Sequence, residues 1–215
     1  MCANYHPVTA PDRLLGFFGV ERPAHEMPPE TWPGYFAPFV VRDRERVEFA
    51  RRADAGLFGL VPAWAKELAF GRRTYNARSE TVHEKPSFRD AWRRGQRCIV
   101  PAEAFFEPCW ESGRAVRWRI ARADGAPMGI AGLWSLWRAP DGRTIPSFTM
   151  LTIPAGEHSL MRRFHKPEDE KRMVVILDEA EHDAWLECPP ERQRDFLTAF
   201  PAQRLEALPA PLARR

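Results

Sequence analysis

Several things are missing from this sequence, and each absence removes a class of protein. No apolar run approaches the roughly 20 residues that cross a bilayer. The opening "MCANYHPVTAPDRLLGFF" has no basic region leading into an apolar stretch and is interrupted by Pro7 and Pro11, so it does not read as a secretion signal. Cytoplasmic residence without a membrane partner is the expectation. Cysteine is sparse: the four at 2, 98, 109 and 188 are too few for a disulfide scaffold and show neither CxxC nor the spacing of a zinc site. Free thiols are expected, with no metal and no cofactor. G-x-S-x-G, G-x-x-x-x-G-K-[ST] and H-E-x-x-H are absent as well, which sets aside serine hydrolases, phosphate-loop enzymes and zinc proteases. There is no repeat, low-complexity tract or flexible interior linker. Charge of one sign does not dominate either, since 32 Lys and Arg against 29 Asp and Glu leave a net of +3.

What remains is a 215-residue chain, 44% hydrophobic and 28% charged, long enough to bury one substantial core. Its 21 prolines are scattered, which suits many short elements joined by turns. Segments 35–42, 47–52 and 55–62 read as strands from their β-branched and aromatic content. A longer β-rich stretch follows at 97–110, 116–121, 127–138 and 146–153, punctuated by "ESGR", "ADGA" and "APDGR"; it predicts an antiparallel meander curling towards a barrel. Residues 172–177 add a strand. Helices are predicted at 13–20, at 178–187, and across 79–95 with Ser79 as N-cap, Gly95 as stop and Pro86 as a kink. The fold class is therefore α+β: one β-rich domain over residues 2–200, with an antiparallel barrel-like core, peripheral helices and a tail at 201–215 that is disordered in part.

Arginines gather at 42–52, 71–78 and 89–97, and eight tryptophans lie among such stretches. Two readings stand: phosphate contacts beside stacking platforms for unpaired bases, or a solvated face around an aromatic core. Cys2 follows the initiator methionine, and removal of Met1 would leave an α-amine and a thiol on adjacent carbons. Both groups have ordinary pKa values of about 8 to 8.5, so each is partly nucleophilic near neutrality. An aldehyde captured by the amine could then be closed by the sulfur into a five-membered ring. A terminal cysteine that is merely packed or frayed is the plain alternative.

In "YNARSET" (75–81), Asn76 and Arg78 are two apart and would face the same way in an extended segment. Arg78 offers a planar fork for phosphate or carboxylate, and Asn76 both donates and accepts; a capped turn with an incidental arginine is the other reading. In "VPAEAFFEPCW" (100–110), Glu103 and Glu107 lie in an apolar, aromatic setting where burial would raise a carboxyl pKa into the range of an acid or base working near neutrality. Glu107 is the deeper of the two in the aromatic run, against the alternative of an edge glutamate facing water. His165 precedes a charged turn leading into a strand and titrates near physiological pH, though a lone loop histidine is equally compatible with a structural part.

These pieces together resemble the SOS response-associated peptidase (SRAP) family, whose members shield abasic sites in single-stranded DNA by covalent attachment. The resemblance rests on "MC" at the start, "GLVPAWAKE" (59–67), "YNARSET", "RCIVPAEAFFEP" (97–108), "GIAGLW" (129–134) and "FHKPEDEKRMVVIL" (164–177), and spans most of residues 2–190. It implies that Cys2 is the nucleophile, exposed by self-removal of Met1, that forms a thiazolidine with the abasic-site aldehyde. Asn76 would hold the α-amine and the sugar-derived moiety, and Arg78 a flanking phosphate. Glu107 would serve as acid and base, His165 as a second proton-transfer group, and Trp64 and Pro38 would wedge or stack on the displaced strand. It further implies a monomer acting in the DNA damage response, with abasic single-stranded DNA as partner and residence on the nucleoid when bound. A thiol peptidase or amidohydrolase using Cys2, and a noncatalytic single-strand binder, are the competing functions. Three departures from the common family pattern stand out. Ala3, Asn4 and Tyr5 replace a Gly-Arg-aromatic run, Pro108 and Cys109 stand where a tryptophan is frequent, and the loop after His165 is long.

Overall fold

The computed structural model describes residues 2–212 apart from Val47 and Phe49. The apolar and aromatic runs become eleven strands among the described residues: β1 Tyr5–Pro7, β2 Phe36–Arg42, β3 Arg51–Phe58, β4 Asn76–Arg78, β5 Arg97–Cys109, β6 Val116–Arg122, β7 Met128–Arg138, β8 Thr144–Pro154, β9 Arg172–Val174, β10 Ile176–Leu177 and β11 Leu205–Pro209. Three short helices accompany them: α1 Pro11–Arg13, α2 Arg89–Arg93 and α3 His182–Glu187. None of the described helices is long and apolar enough to cross a membrane.

Five strands close on themselves in the order β7, β8, β3, β2, β5 and back to β7. The protein is thus an α+β domain with a barrel core, as its strand pattern predicts. The seam is narrow, because β2 meets β5 only at Val40 opposite Ile99. Phe39, Phe58 and Phe148 fill the interior, with ring centroids 5.5 Å and 5.6 Å apart around Phe148. Burying each such ring contributes on the order of 2 kcal/mol.

Several local expectations are corrected. Segment 97–154 is not a simple meander: β7 returns to β5 rather than to β6, so β5 sits between β6 and β7, and the free edge of β6 is taken by β11. Closure also uses parallel pairs, β3 with β8 and β4 with β8, which no hairpin pattern announces. The two strands predicted at 47–52 and 55–62 contribute to one strand, β3 at Arg51–Phe58, and Val47 and Phe49 of the first lie outside the described residues. The helix predicted across 79–95 is a run of turns ending in α2. Pro86 cannot donate within a helix, and the segment's start is pulled elsewhere, Ser79 bonding to Glu80 at 3.0 Å and Glu80 gripping Arg172 at 2.7 and 2.8 Å. Gly95, with φ of +60°, stops α2 as expected. The expected tail is structured where it matters most: Leu205–Pro209 pairs antiparallel with β6, and Pro209 is tolerated on this outer strand because an edge residue need not donate to a further strand.

Arg42 and Arg51 face each other across the β2–β3 hairpin, yet each has its own carboxylate, Glu187 at 3.1 Å and Asp183 at 2.5 Å. The hairpin thereby clasps α3. On that helix His182 lies flat against Phe18, 5.7 Å centroid to centroid, and burial pushes its imidazole down to about 4 from 6.5, helped by nearby Arg51. Below pH 6.5 the unfolded chain takes up a proton that folded His182 refuses until about 4. Its stabilising contribution is therefore complete above 6.5 and is lost as pH falls towards 4, by about 3 kcal/mol. Urea melts across this window are expected to show that slope, and His182→Leu, which cannot titrate, to flatten it; an unchanged slope in the variant overturns the assignment.

Candidate active site

The N-terminal segment is added to the barrel as an extra strand. Tyr5 pairs with Phe105 and His6 with Ala104, and the Phe106 N–H donates to the Asn4 carbonyl at 2.9 Å. Asn4 is buried, donating to the Thr31 carbonyl at 3.3 Å. This anchorage leaves Cys2 only 1% exposed. Asn76, at the head of β4, donates its amide N–H to the Cys2 carbonyl at 2.6 Å. Its Oδ1 is buried without a partner among the described residues, an acceptor in reserve beside the N-terminus. The Cys2 thiol donates to the Asn4 carbonyl at 3.6 Å. Burial, and then the charge of Glu107, push that thiol far above its ordinary value, so the sulfur is protonated at neutral pH and needs a base when it reacts. Met1, whose removal is expected, lies outside the described residues.

Glu107 is near the end of β5, opposite Trp118 of β6, and is 2% exposed. His165 is brought to it from the loop before β9. The His165 N–H donates to the Pro108 carbonyl at 2.8 Å, and Phe164 bridges Cys109. That docking holds His165 at φ +65°, the one non-glycine among the described residues with positive φ, a conformation costing on the order of 1 kcal/mol. The reward is an Nε2 to Glu107 Oε2 distance of 2.9 Å inside a buried setting. Cys2, Asn76, Glu107 and His165, spread over 164 positions of chain, thus share one neighbourhood.

The other sequence candidates fall differently. Arg78 sits in β4, about half exposed and paired with Glu170 at 2.7 Å. Trp64 is 52% exposed, its indole N–H donating to the Pro86 carbonyl at 3.3 Å and its ring edge-on to Phe70. Pro38 is buried within β2 opposite Ala55, because β2 is a wall of the barrel. The exposed aromatics nearby are Trp32 and Tyr35, in the turn before β2. Glu103 is half-buried and bidentate to Arg13 at 2.7 Å, a tie between α1 and β5 rather than a proton donor.

Sequence reasoning missed Tyr75 and Arg117. Tyr75 is raised by burial and by Cys2 and Glu107, which marks it as a neighbour of both; its place beside Asn76 was the available signal. Arg117 lies in β6 with no motif to flag it, and only the β5–β6 register sets it opposite Pro108. A hollow of about 360 Å³ opens here, walled by Ala3, Asn4, Trp32, Phe106, Glu107 and Arg117. A second of about 710 Å³ lies on the other side of His165, with Trp110, Arg162 and Lys171 in its wall.

A sequence match to the SOS response associated peptidase (SRAP) family runs over residues 1–212. The chain belongs to that family. It is 33% identical over 156 residues to the Bacillus subtilis abasic site processing protein YoqW, an alignment covering 70% of this chain and 65% of YoqW. It is 28% identical to the Xenopus tropicalis abasic site processing protein HMCES, over 62% of this chain and 43% of that one. It therefore spans just under two thirds of the Bacillus relative and under half of the frog protein. A Bordetella bronchiseptica protein of known crystal structure is 42% identical and superposes with a TM-score of 0.91, covering 98% of this chain and all of that one.

Within the SRAP frame, the departures acquire structure. Two residues after Cys2 this SRAP chain has Asn4, and Arg117 reaches in from β6 to donate to its Oδ1 at 2.7 and 3.1 Å. The guanidinium lies 3.4 Å over the Phe106 ring and also meets Glu30 at 2.6 Å. A cation is thus delivered to the terminal strand from a neighbour. Phe106 has its face taken by that cation, and Trp110, in the wall beside His165, carries Lys166 over its ring at 5.4 Å.

Proposed function

We propose that this protein captures abasic sites in single-stranded DNA by forming a thiazolidine at Cys2. The observation carrying this reading is the convergence of a buried Cys2, held at its carbonyl by Asn76, with the Glu107–His165 pair. Hydrolysis of the Met1–Cys2 peptide bond frees the α-amine. Glu107 moves the proton that opens the sugar hemiacetal to its aldehyde; the amine adds to the carbonyl and water leaves as the imine forms. The sulfur then attacks the imine carbon while its proton passes to the nitrogen, with Glu107 and His165 as the relay. Aldehyde and cysteine give thiazolidine and one water. No metal or redox partner is needed. The names of YoqW and HMCES support the substrate class.

The test is a denaturing gel after mixing the protein with an abasic single-stranded oligomer. A heat-stable shifted band supports crosslinking. Peptide cleavage without a band indicates a thiol peptidase, and salt-sensitive binding without a band a simple strand binder. Intact mass must also show Met1 gone, since an uncleaved Met1 blocks the amine.

Arg78 would exchange its Glu170 partner for a strand phosphate. Arg78→Ala is expected to weaken binding of an intact oligomer about threefold and to lower the salt slope by about 0.7, the value for one phosphate contact on a single strand. Fluorescence anisotropy over a salt series measures both, and equal slopes would remove Arg78 from the phosphate contacts.

A further inference from the structure

At the end of β5 remote from Glu107 lies a cation with no carboxylate partner among the described residues. Arg97 is 5% exposed, and its guanidinium donates from Nε to the Trp185 carbonyl at 2.7 Å and from Nη2 to the Cys188 carbonyl. Both acceptors are neutral, and Nη1 has no hydrogen-bond partner among the described residues. Burial, and the charge of Arg44, work against the cation. An uncompensated buried charge is costly, and native structures rarely leave a buried donor unpaired. Gly95 passes so close that a Cβ there would lie 2.9 Å from Nη1, so the turn after α2 packs on the guanidinium with backbone and offers it no side-chain partner. Arg97 lines two adjoining hollows, of about 60 and 530 Å³. Arg42, Arg44, Arg46 and Arg94 share their walls, and Glu187 is the only carboxylate among the described lining residues. Glu187 is already engaged by Arg42 at 3.1 Å.

We propose that this arginine-walled cleft is an anion site that takes a phosphoryl group, separate from the Cys2 hollow. Arg97 lies ten residues before Glu107 on β5, about 30 Å away at roughly 3.3 Å per residue. A tetrahedral oxyanion presents acceptors in several directions, matching guanidinium forks that converge from β2, the loop after it, the turn after α2 and β5. It also supplies the counter-charge that Arg97 lacks. Two sources carry such a group: free phosphate, and the backbone of a nucleic-acid strand. The proposal does not depend on the crosslinking chemistry.

The experiment uses the full chain and an Arg44→Ala/Arg94→Ala variant, since both side chains are exposed at the cleft's mouth. Arg97 itself ties down the end of α3, so replacing it would test folding first. Calorimetry with inorganic phosphate forms one arm. Anisotropy with an intact 20-nucleotide single strand, about twenty phosphates without any abasic site, forms the other. Phosphate binding weakened about tenfold in the variant, with the oligomer unaffected, supports the site and assigns free phosphate. A weaker oligomer with the salt slope reduced by about 0.7 per lost contact supports it and assigns the strand. Wild-type behaviour of the variant in both arms overturns the proposal. Because neither ligand carries an aldehyde, failure of the Cys2 chemistry leaves both readings interpretable.

Discussion

Cys2→Ala is expected to abolish the heat-stable adduct with abasic single-stranded DNA while binding of the intact strand stays within about twofold. The side chain is buried and makes one weak hydrogen bond, a 3.6 Å contact to the Asn4 carbonyl, so its loss removes little structure. The α-amine survives the substitution. An imine can still form, but without sulfur to close the ring it reverts by hydrolysis or eliminates the 3′ phosphate and cuts the strand. Borohydride added during the reaction is therefore expected to restore a stable band for the alanine variant. A heat-stable band without borohydride would place the nucleophile elsewhere, and no band with it would mean that the amine never reaches the aldehyde.

The second large effect is Glu107→Gln, expected to slow crosslinking about 100-fold, within the range of a lost general acid or base, with oligomer affinity little changed. Its value lies in the sign. The charge of Glu107 is one of the two influences raising the Cys2 thiol, after burial itself. Neutralising it lowers the thiol towards its ordinary value and makes thiolate easier to form. If Glu107 acted only through its field, the variant would crosslink faster. If it carries protons for ring opening and ring closure, the variant is slower despite the better thiolate. Single-turnover rates by quenched gel separate the two, and a faster variant would remove Glu107 from the proton path. His165→Ala gives an internal check: it keeps the Glu107 carboxyl but removes the Nε2 partner at 2.9 Å, and a smaller slowing is expected.

The local readings that held share a cause. Turn residues and β-branched runs report on a few neighbours in sequence, so β5 through β8 could be placed nearly to the residue, as could the stop at Gly95. The helix over 79–95 failed because its competitor was distant: Arg172, some ninety positions on, draws Glu80 away from the helix start. The burial of Pro38 was illegible for a related reason. Nothing in "YFAPFVVR" says that both faces of the strand will be covered, and barrel closure covers them. The 201–215 segment read as disordered in part because its prolines break any helix, yet an edge strand accepts Pro209.

By itself the sequence determined that the chain is a β-rich α+β domain, where most of its strands begin and turn, and which residues were candidates for chemistry: Cys2, Asn76, Arg78, Glu107 and His165. Those are properties of short stretches and of residue type. Only the tertiary structure decided that buried Cys2, Glu107 and His165 and half-buried Asn76 meet. β1 lies on β5 and so brings Cys2 towards Glu107; β4 lies beside β8 and aims Asn76 at the Cys2 carbonyl; the Phe164–Cys109 bridge turns His165 inward. It likewise decided that Arg117 reaches Asn4 behind Cys2, and that Arg97 is buried with its Nη1 unpaired among the described residues. Each depends on pairing between segments tens of residues apart, and such register is set by how whole faces pack, which no local pattern encodes.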